Sequence, residues 1–406
     1  MQRIKLLTAF TIRPFALLWC GQTVSRLGDF LYQVALAWWV VEKTGSSTIM
    51  GIVLLCSLLP TILFGLLGGV VGDRLPRVPT MLASDLLRGL ISTLVMLLAA
   101  FNYLEVWHIL VASIVFGIVD AFFQPAYSAI IPEVVPPTLL PSANALTSFG
   151  VQGGRILGPL LGAGIIATQG TTAAFAIDAA TFFISALFLL PLTRLSLPRP
   201  TAATASSLLA DIRSGIATVL GVPWLWITMG MQALTNITLA GPYQIALPFL
   251  VTEHFNADVR VLGWLYAAFP VGYVIGGLWG GSRERIRSRG WMVYGATIVA
   301  GLGMLALGLP IGLVACLLAA MLNGMALEIS SLIWINTLQE LVPNEQLGRI
   351  SSIDMVSTYS LIPIGFVLAG WATNAFGAAT VCVIGGGLTA AVAALGLAHP
   401  AIRAVD

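Results

Sequence analysis

Ionisable side chains interrupt the long apolar runs of this sequence at a few positions. A charge at the centre of a membrane-spanning helix costs about 2.5–3.5 kcal/mol on insertion scales, so residues of this kind are functional candidates. A carboxyl group that meets water on each side of a membrane in turn can take up a proton on one side and release it on the other. The set consists of Arg26, Asp29, Asp85, Arg88, Asp120, Arg155, Asp178, Glu328 and Asp354.

Two pairs in this set have a spacing that favours contact. Arg26 and Asp29 are three residues apart, as are Asp85 and Arg88, so each pair shares one helix face and can form an ion pair. For Asp29 two interpretations stay open. It can carry a proton, or it can be neutralised by Arg26 and hold helices together without moving any proton.

Depth within the apolar runs separates the remaining candidates. Asp120 and Arg155 fall near the middle of adjacent runs, and the same two interpretations, proton carrier or ion pair, apply to Asp120. The runs of the second half hold no basic residue, which favours proton coupling or cation binding for Glu328. Asp354 lies near one end of its run, and Asp178 is interpreted as structural.

Uncharged polar side chains in the same runs can donate or accept hydrogen bonds from a ligand. They are Gln22, Tyr32, Gln124, Asn236 and Gln244. The last two flank a Gly-Pro pair, which weakens a helix and frees carbonyl groups that a cavity can satisfy.

Chemistry of the kind found in soluble enzymes is not indicated. The three histidines are isolated from one another, without metal-ligand spacing, and no phosphate-binding Gly-x-x-x-x-Gly-Lys loop is present. The basic residues are too dispersed for a nucleic-acid interface. We therefore expect no enzyme activity, no metal and no cofactor.

The elements that position these residues are predicted to be transmembrane helices. Hydrophobic residues make up 58% of the chain and charged residues 9%, against about 25% charged in soluble domains. Twelve runs are long enough to cross a bilayer, which predicts an all-α membrane protein. The predicted spans are Phe15–Val41, Thr48–Val71, Thr80–Phe101, His108–Ile131, Ala145–Thr168, Ala173–Leu192, Pro223–Val251, Val261–Gly281, Trp291–Leu309, Gly312–Thr337, Ser351–Phe376 and Ala378–Leu397.

A polar linker over residues 193–221, with a short amphipathic helix, divides these spans six and six. The domains are predicted at residues 1–192 and 222–406. A shift of 212 residues overlays Gly51 and Gly69 on Gly263 and Gly281, and a shift of 207 overlays Glu133 on Glu340. The halves are therefore expected to be pseudo-symmetric. Basic residues concentrate in the loops on the side of both termini, which predicts cytoplasmic termini in the inner membrane.

The turn between the second and third spans resembles the signature loop of the major facilitator superfamily, Gly-x-x-x-Asp-Arg-x-Gly-Arg. Gly69, Asp73, Arg74 and Arg77 match that pattern, and Pro76 replaces its second glycine. The fifth span is similar to the antiporter motif of drug exporters, with Gly154, Gly158, Pro159 and Gly162 around Arg155.

Other short matches, such as Ser25-x-x-Gly28-Asp29 and Asp85-x-x-Arg88, resemble the branch that contains macrolide-efflux proteins and enterobactin-type exporters. This resemblance implies two six-helix bundles around a central cavity that Asp29, Asp120 and Glu328 would line. It also implies a latch at Asp73, Arg74 and Arg77, with Asp85, Arg88 and Asp354 assisting the gate.

The function implied by the resemblance is export of small amphipathic organic molecules by a monomer, through proton antiport and a rocker-switch cycle. The fourth span departs from many drug:proton antiporters because it has no arginine. A siderophore exporter and a lipid or lysolipid flippase on the same fold remain alternatives, and a non-transporting receptor is disfavoured by the charges inside the spans.

Overall fold

The computed structural model describes residues 7–72, 75–195, 216–283 and 287–405. All regular secondary structure in these ranges is helical, which confirms the all-α prediction. The first five long helices are α1 (Arg13–Thr44), α2 (Ser47–Gly72), α3 (Arg77–Ala100), α4 (Val106–Val134) and α5 (Leu140–Leu189). Short 3₁₀ turns precede α1 and flank α5, at Thr8–Thr11, Pro137–Leu139 and Leu190–Arg194.

Helix α5 contains both the fifth and the sixth predicted spans. Its backbone leaves helical geometry at Gly170, where φ is 80° and ψ is 172°. A positive φ of this size suits glycine because an L side chain is strained there. One residue thus turns the chain between two successive helical arms.

The seventh predicted span is not one continuous α-helix. Helix α6 (Pro223–Thr235) passes into two π-helical segments, Asn236–Ala240 and Pro242–Ala246, and then into α7 (Leu247–Glu253). Gly241 and Pro242 lie at the junction of the two π-helical segments, as the expected helix break predicts. Wide π-type turns in a helix are frequently found at functional sites.

The remaining helices follow the predicted spans within about four residues, except that the helix of the eleventh span begins at Asn344, seven residues before the predicted Ser351. The eleventh span is divided by a turn at Leu361 into two helices. The bounds are α8 (Val259–Gly281), α9 (Arg289–Leu307), α10 (Leu313–Leu341), α11 (Asn344–Ser360), α12 (Ile362–Phe376), α13 (Ala378–Ala398) and α14 (Pro400–Arg403).

Nine helical segments of the described ranges have the length and hydropathy needed to cross a membrane. One of them, Pro137–Arg194, is long enough for two crossings because it includes both arms of α5. Helix α1, which carries Arg26 and Asp29, and the interrupted run from α6 to α7 are not among the nine. Together these segments are consistent with the twelve expected spans. The chain is a multi-pass integral membrane protein.

The chain divides into two compact units. The first contains the helices before residue 195 except for residues 44–52, which group with the second. Within the first unit, α3 packs against both α4 and α5, and large apolar side chains such as Phe15, Phe123 and Leu189 fill the interior. Within the second unit, α9 packs against both α10 and α13.

Candidate functional site

The centre of the candidate site is an ion pair between Asp85 and Arg88 of α3. Arg88 Nη2 lies 3.0 Å from Asp85 Oδ1, as the three-residue spacing predicts. Asp85 is fully buried and Arg88 is 5% exposed. A buried ion pair needs further hydrogen bonds to offset the loss of water around both charges.

Those hydrogen bonds come from two other helices. Ser185 of α5 donates its hydroxyl to Asp85 Oδ2 at 2.7 Å, and Gln22 of α1 donates Nε2 to the same oxygen at 3.3 Å. Gln22 Nε2 also lies 2.9 Å from Ser185 Oγ. The Asp85 carboxylate therefore joins α1, α3 and α5.

The Arg88 guanidinium is enclosed by aromatic rings. Its central carbon lies 4.2 Å from the ring centre of Phe123 on α4 and 5.0 Å from that of Phe182 on α5. Cations are attracted to the faces of aromatic rings, and more strongly where water is excluded. These contacts hold the guanidinium beside Asp85.

A second buried carboxylate, Asp178 of α5, lies in the same interior. Asp178 is fully buried, and Ser92 of α3 donates its hydroxyl to Asp178 Oδ2 at 2.7 Å. Each of the two helices therefore donates a serine hydrogen bond to a carboxylate of the other, since Ser185 of α5 donates to Asp85 of α3. This arrangement is compatible with the interpretation of Asp178 as structural and does not test it.

The sequence contains a signal that could have identified Asp178. On each helix the polar residues follow the spacing i, i+3, i+7, which places them on one face. On α3 they are Asp85, Arg88 and Ser92, and on α5 they are Asp178, Thr181 and Ser185.

Asp29 lies half-buried on α1, and the charged side chains that act on it are Arg88, Asp120, Asp85 and Arg26. Arg26 shares the face of Asp29 but forms no ion pair with it. Its guanidinium lies over the ring of Tyr127, 4.7 Å from the ring centre.

Asp120 of α4 accepts a hydrogen bond from Gln124 Nε2 at 3.2 Å. Arg155 is exposed on α5, and no ion pair between it and Asp120 occurs in the described part of the chain. The first unit therefore contains four acidic side chains but only two arginines in and around this cluster, and acids are in excess. The four carboxylates are Asp29, Asp85, Asp120 and Asp178, and the two arginines are Arg26 and Arg88.

Aromatic contacts hold Tyr32 in the first unit. Its ring stacks on Phe116 with a centroid distance of 5.9 Å and lies 5.5 Å from Phe175. Tyr32 is thus packed between α4 and α5, close to Asp178.

The glycines of the antiporter-like motif bring α5 against α1. A Cβ atom added at Gly158 would lie 2.5 Å from Cβ of Phe30, and one at Gly162 would meet the backbone of Leu31. Gly154 faces the Phe30 ring, and Pro159 is buried. This stripe is a close-packed helix interface.

In the second unit the predicted residues are spread over several contacts. Glu328 of α10 is half-buried beside Gly276 and Gly277 of α8. Asp354 of α11 accepts a hydrogen bond from Trp334 Nε1 at 3.2 Å.

The residues of the interrupted seventh span bond to neighbouring helices. Asn236 donates Nδ2 to the carbonyl oxygen of Thr358 at 2.8 Å. The carbonyl oxygen of Gln244 accepts from the Tyr266 hydroxyl at 3.2 Å.

Of the predicted latch, Gly69 lies in α2, and Asp73 and Arg74 lie outside the described residues. Arg77, the first residue of α3, forms an ion pair with Glu133 of α4 at 2.5 Å and also donates to the carbonyl oxygen of Ala129. Arg77 therefore fixes the start of α3 against the end of α4.

The described part of the chain contains no group of three or more His, Cys, Asp or Glu side chains arranged to hold a metal ion.

A family profile described as "Transmembrane secretion effector" within the major facilitator superfamily matches residues 5–406. The chain belongs to this family. It is a membrane transporter rather than an enzyme, and the resemblance stated from the loop and helix motifs is confirmed.

Characterised relatives cover most of the chain. Macrolide efflux protein A of Streptococcus pyogenes is 23% identical over 87% of this chain and 88% of its own length. The multidrug efflux pump Tap of Mycolicibacterium fortuitum is 26% identical over 90% of both. The enterobactin exporter EntS of Escherichia coli O1:K1 is 29% identical over 75% of this chain and 72% of its own.

Solved structures show the same fold. A bacterial homologue of the iron transporter ferroportin, in an inward-facing state, has a TM-score of 0.72 at 15% identity and covers 95% of this chain and 99% of its own. The nucleoside transporter NupG has a TM-score of 0.74 at 11% identity over the same shares. The transporter therefore has the major facilitator fold.

Proposed function

We propose that this transporter exports small amphipathic organic molecules by exchanging them for protons. The observation that carries the proposal is the excess of carboxylates over arginines in and around the buried cluster of the first unit, where Asp85, Asp120 and Asp178 lie on segments long and apolar enough to cross a membrane. A buried carboxylate without a counter-charge favours its protonated form, because a bare anion away from water is costly. Proton binding and release at this cluster would supply the driving force.

The names of the relatives support the proposed substrate class. Proteins named for macrolide efflux, multidrug efflux and enterobactin export align with most of this chain. Macrolide-like or drug-like compounds are our first expectation, and enterobactin-type siderophores are the second candidate because the enterobactin exporter has the highest identity of the three. An acidic cluster suits an anionic siderophore less well.

The cycle we propose is a rocker switch between inward- and outward-facing states. Asp29, Asp120 and Glu328 would line the cavity, and Asp73, Arg74 and Arg77 would latch the cytoplasmic side. Ligand or proton binding changes the balance only if it favours one of the two states. We place both termini in the cytoplasm, the protein in the inner membrane, and the working unit as a monomer.

Flux measurements in proteoliposomes with an imposed pH gradient test this function. The panel consists of a macrolide, a lipophilic dye, enterobactin and a lysolipid, each measured with and without the gradient. We expect gradient-driven movement of the macrolide or the dye. Movement of the lysolipid alone would establish a flippase, and equal flux with and without the gradient would refute proton antiport.

Glu328→Gln refines the same experiment. If Glu328 carries the coupled proton, gradient-driven flux is lost while exchange between labelled and unlabelled substrate continues. Glu253→Gln is the matched control, because Glu253 is exposed at the last residue of α7. Unchanged gradient-driven flux in Glu328→Gln would remove Glu328 from the coupling role.

A further inference from the structure

Asp85 of α3 and Asp178 of α5 each accept a hydrogen bond from a serine of the other helix, but the two carboxylates are not equivalent. Asp85 accepts from Ser185 and from Gln22, and it pairs with Arg88 at 3.0 Å. Among the described residues, the Asp178 carboxylate accepts a hydrogen bond from Ser92 alone. A carboxylate has about four acceptor positions, so Asp85 is well satisfied and Asp178 is not.

The second oxygen of Asp178 is the unsatisfied atom. Asp178 is 0% exposed, and its Oδ1 has no hydrogen-bond partner among the residues that the structure describes. Oδ1 faces α1 at Gly28, where an added Cβ would lie 3.0 Å away, and the next residue of α1 is Asp29. A buried polar atom without a partner is costly, and a buried anion without one is more costly still.

Arg88, the cation that acts on Asp178, already forms an ion pair with Asp85. The charged and titratable side chains that interact electrostatically with Asp178 are Asp29 and Tyr32 of α1 and Arg88 of α3. Arg88 pairs with Asp85 and lies between the rings of Phe123 and Phe182. Two like charges held close together cannot both remain ionised at low cost. Around Asp29 the set is completed by Asp85, Arg26 and Asp120.

We infer that Asp178 is a proton-binding residue of the transport cycle and that it shares one proton with Asp29. This inference rests on the proposed proton antiport. Asp29, half-buried, would receive the proton, and the fully buried Asp178 would hold it. In the transfer the O–H bond on Asp29 breaks and one forms at Asp178 Oδ1, so the pair keeps a single negative charge throughout.

Infrared spectroscopy of the purified full-length protein tests the inference without any transport measurement. The carbonyl stretch of a protonated carboxyl group is separate from the bands of ionised carboxylates. We expect such a band in the unaltered protein at neutral pH, its loss in Asp178→Asn, and its retention at a shifted position in Asp178→Glu. Because the partner is removed, Asp29→Asn should also change the band.

Thermal unfolding in detergent separates a protonated Asp178 from one that is a structural anion. An asparagine accepts the Ser92 hydrogen bond and needs no counter-charge, so Asp178→Asn should unfold within a few degrees of the unaltered protein. Glu253→Gln, at an exposed site, is the matched control for both measurements. Absence of the band from the unaltered protein, or its survival in Asp178→Asn, would overturn the inference.

One further measurement distinguishes a bound proton from a bound metal cation. A second distinguishes failure of this inference from failure of the proposed function. Replacing sodium by choline at constant pH should leave the band unchanged, and a sodium-dependent band would overturn proton sharing in favour of cation binding. In proteoliposomes, Asp178→Asn should lose gradient-driven flux at least tenfold while substrate exchange continues. If the unaltered protein shows the band but no gradient-driven flux, proton antiport fails and the shared proton stands as a structural feature.

Discussion

Arg77 and Glu133 form an ion pair between the first residue of α3 and the penultimate residue of α4. The second unit contains the same relationship. Arg289, the first residue of α9, pairs with Glu340, the penultimate residue of α10. The two arginines are separated by the 212-residue shift and the two glutamates by the 207-residue shift that overlay the halves. Each bundle therefore ties its own pair of helix ends with equivalent residues.

We predict that Arg77 and Glu133 depend on each other. Their side chains are 18% and 16% exposed, so the pair is partly shielded from water. Contacting charged residues of this kind show coupling energies of roughly 0.5–3 kcal/mol. Arg77→Glu and Glu133→Arg should each lower the melting temperature and the flux, and the double variant with exchanged charges should recover much of both.

Two other ion pairs, which differ in exposure, serve as comparisons for that experiment. Lys43 and Glu105 are 41% and 53% exposed, and exposed pairs contribute about 0–1 kcal/mol, so exchanging their charges should change little. Exchanging Arg289 and Glu340 should have an intermediate effect because Glu340 is 60% exposed. If the double variant at Arg77 and Glu133 is no better than the worse single variant, the pair is not coupled.

The latch predicted at Asp73 can be tested separately by measuring transport. Asp73 lies outside the described residues, but it is four residues before Arg77. If it stabilises one state of the cycle, Asp73→Asn should lower the flux several-fold while ligand affinity stays within about twofold, since a latch acts on an equilibrium between states. Ligand affinity by fluorescence quenching and flux in proteoliposomes, measured on the same preparation, decide the matter. Lost affinity with intact cycling would refute the latch.

Removal of the Asp85 carboxylate should be among the most damaging changes in the first unit. Asp85→Ala leaves Arg88 buried without its ion-pair partner, which costs about 3–5 kcal/mol. Ser185→Ala removes one hydrogen bond to the same carboxylate and should cost about 1 kcal/mol. Reversible unfolding in mixed detergent micelles measures both. Equal losses in the two variants would show that the Arg88 charge is compensated by another group.

The sequence predicted the local parts of this cluster and missed the parts that depend on packing. The spacing of Asp85 and Arg88 is sufficient to predict their ion pair, because residues three apart on a helix are neighbours. The same spacing for Arg26 and Asp29 suggested a pair that does not form, since the ring of Tyr127 on α4 offers Arg26 another partner. Local spacing cannot reveal a competing group on a distant helix.

Long-range contacts account for the rest of the difference. Ser92 and Asp178 are 86 residues apart, and Gln22 and Ser185 are 163 apart, so nothing in either neighbourhood indicates the contact. The span pattern, by contrast, depends only on hydropathy and length, and it was correct for the helical class and nearly correct for most helix ends. The turn at Gly170 and the π-helical segments around Gly241 show that even helix continuity depends on single glycines.

Gly28, the neighbour of Asp29, is the residue that lets α1 approach α5 closely at Asp178. A Cβ at this position would collide with Thr181 Oγ1 and lie 3.0 Å from Asp178 Oδ1. Gly28→Ala must therefore displace Thr181 or separate the helices, and overpacking of this kind costs about 1–3 kcal/mol. Gly153→Ala is the matched control, because an added Cβ at Gly153 of α5 meets nothing within 4 Å.

The two glycine variants also test whether the distance between the carboxyl groups matters for function. Gly28→Ala should reduce gradient-driven flux and alter the infrared band of the protonated carboxyl group, whereas Gly153→Ala should change neither. Leu31→Ala serves as the stability control, because it removes apolar packing at the same α1–α5 interface and changes no charged side chain. The melting temperatures of the two variants separate general destabilisation from a local effect. If Gly28→Ala and Leu31→Ala lower the flux in proportion to their losses of stability, helix packing explains the result. A larger loss of flux in Gly28→Ala at equal stability assigns the effect to the carboxyl pair.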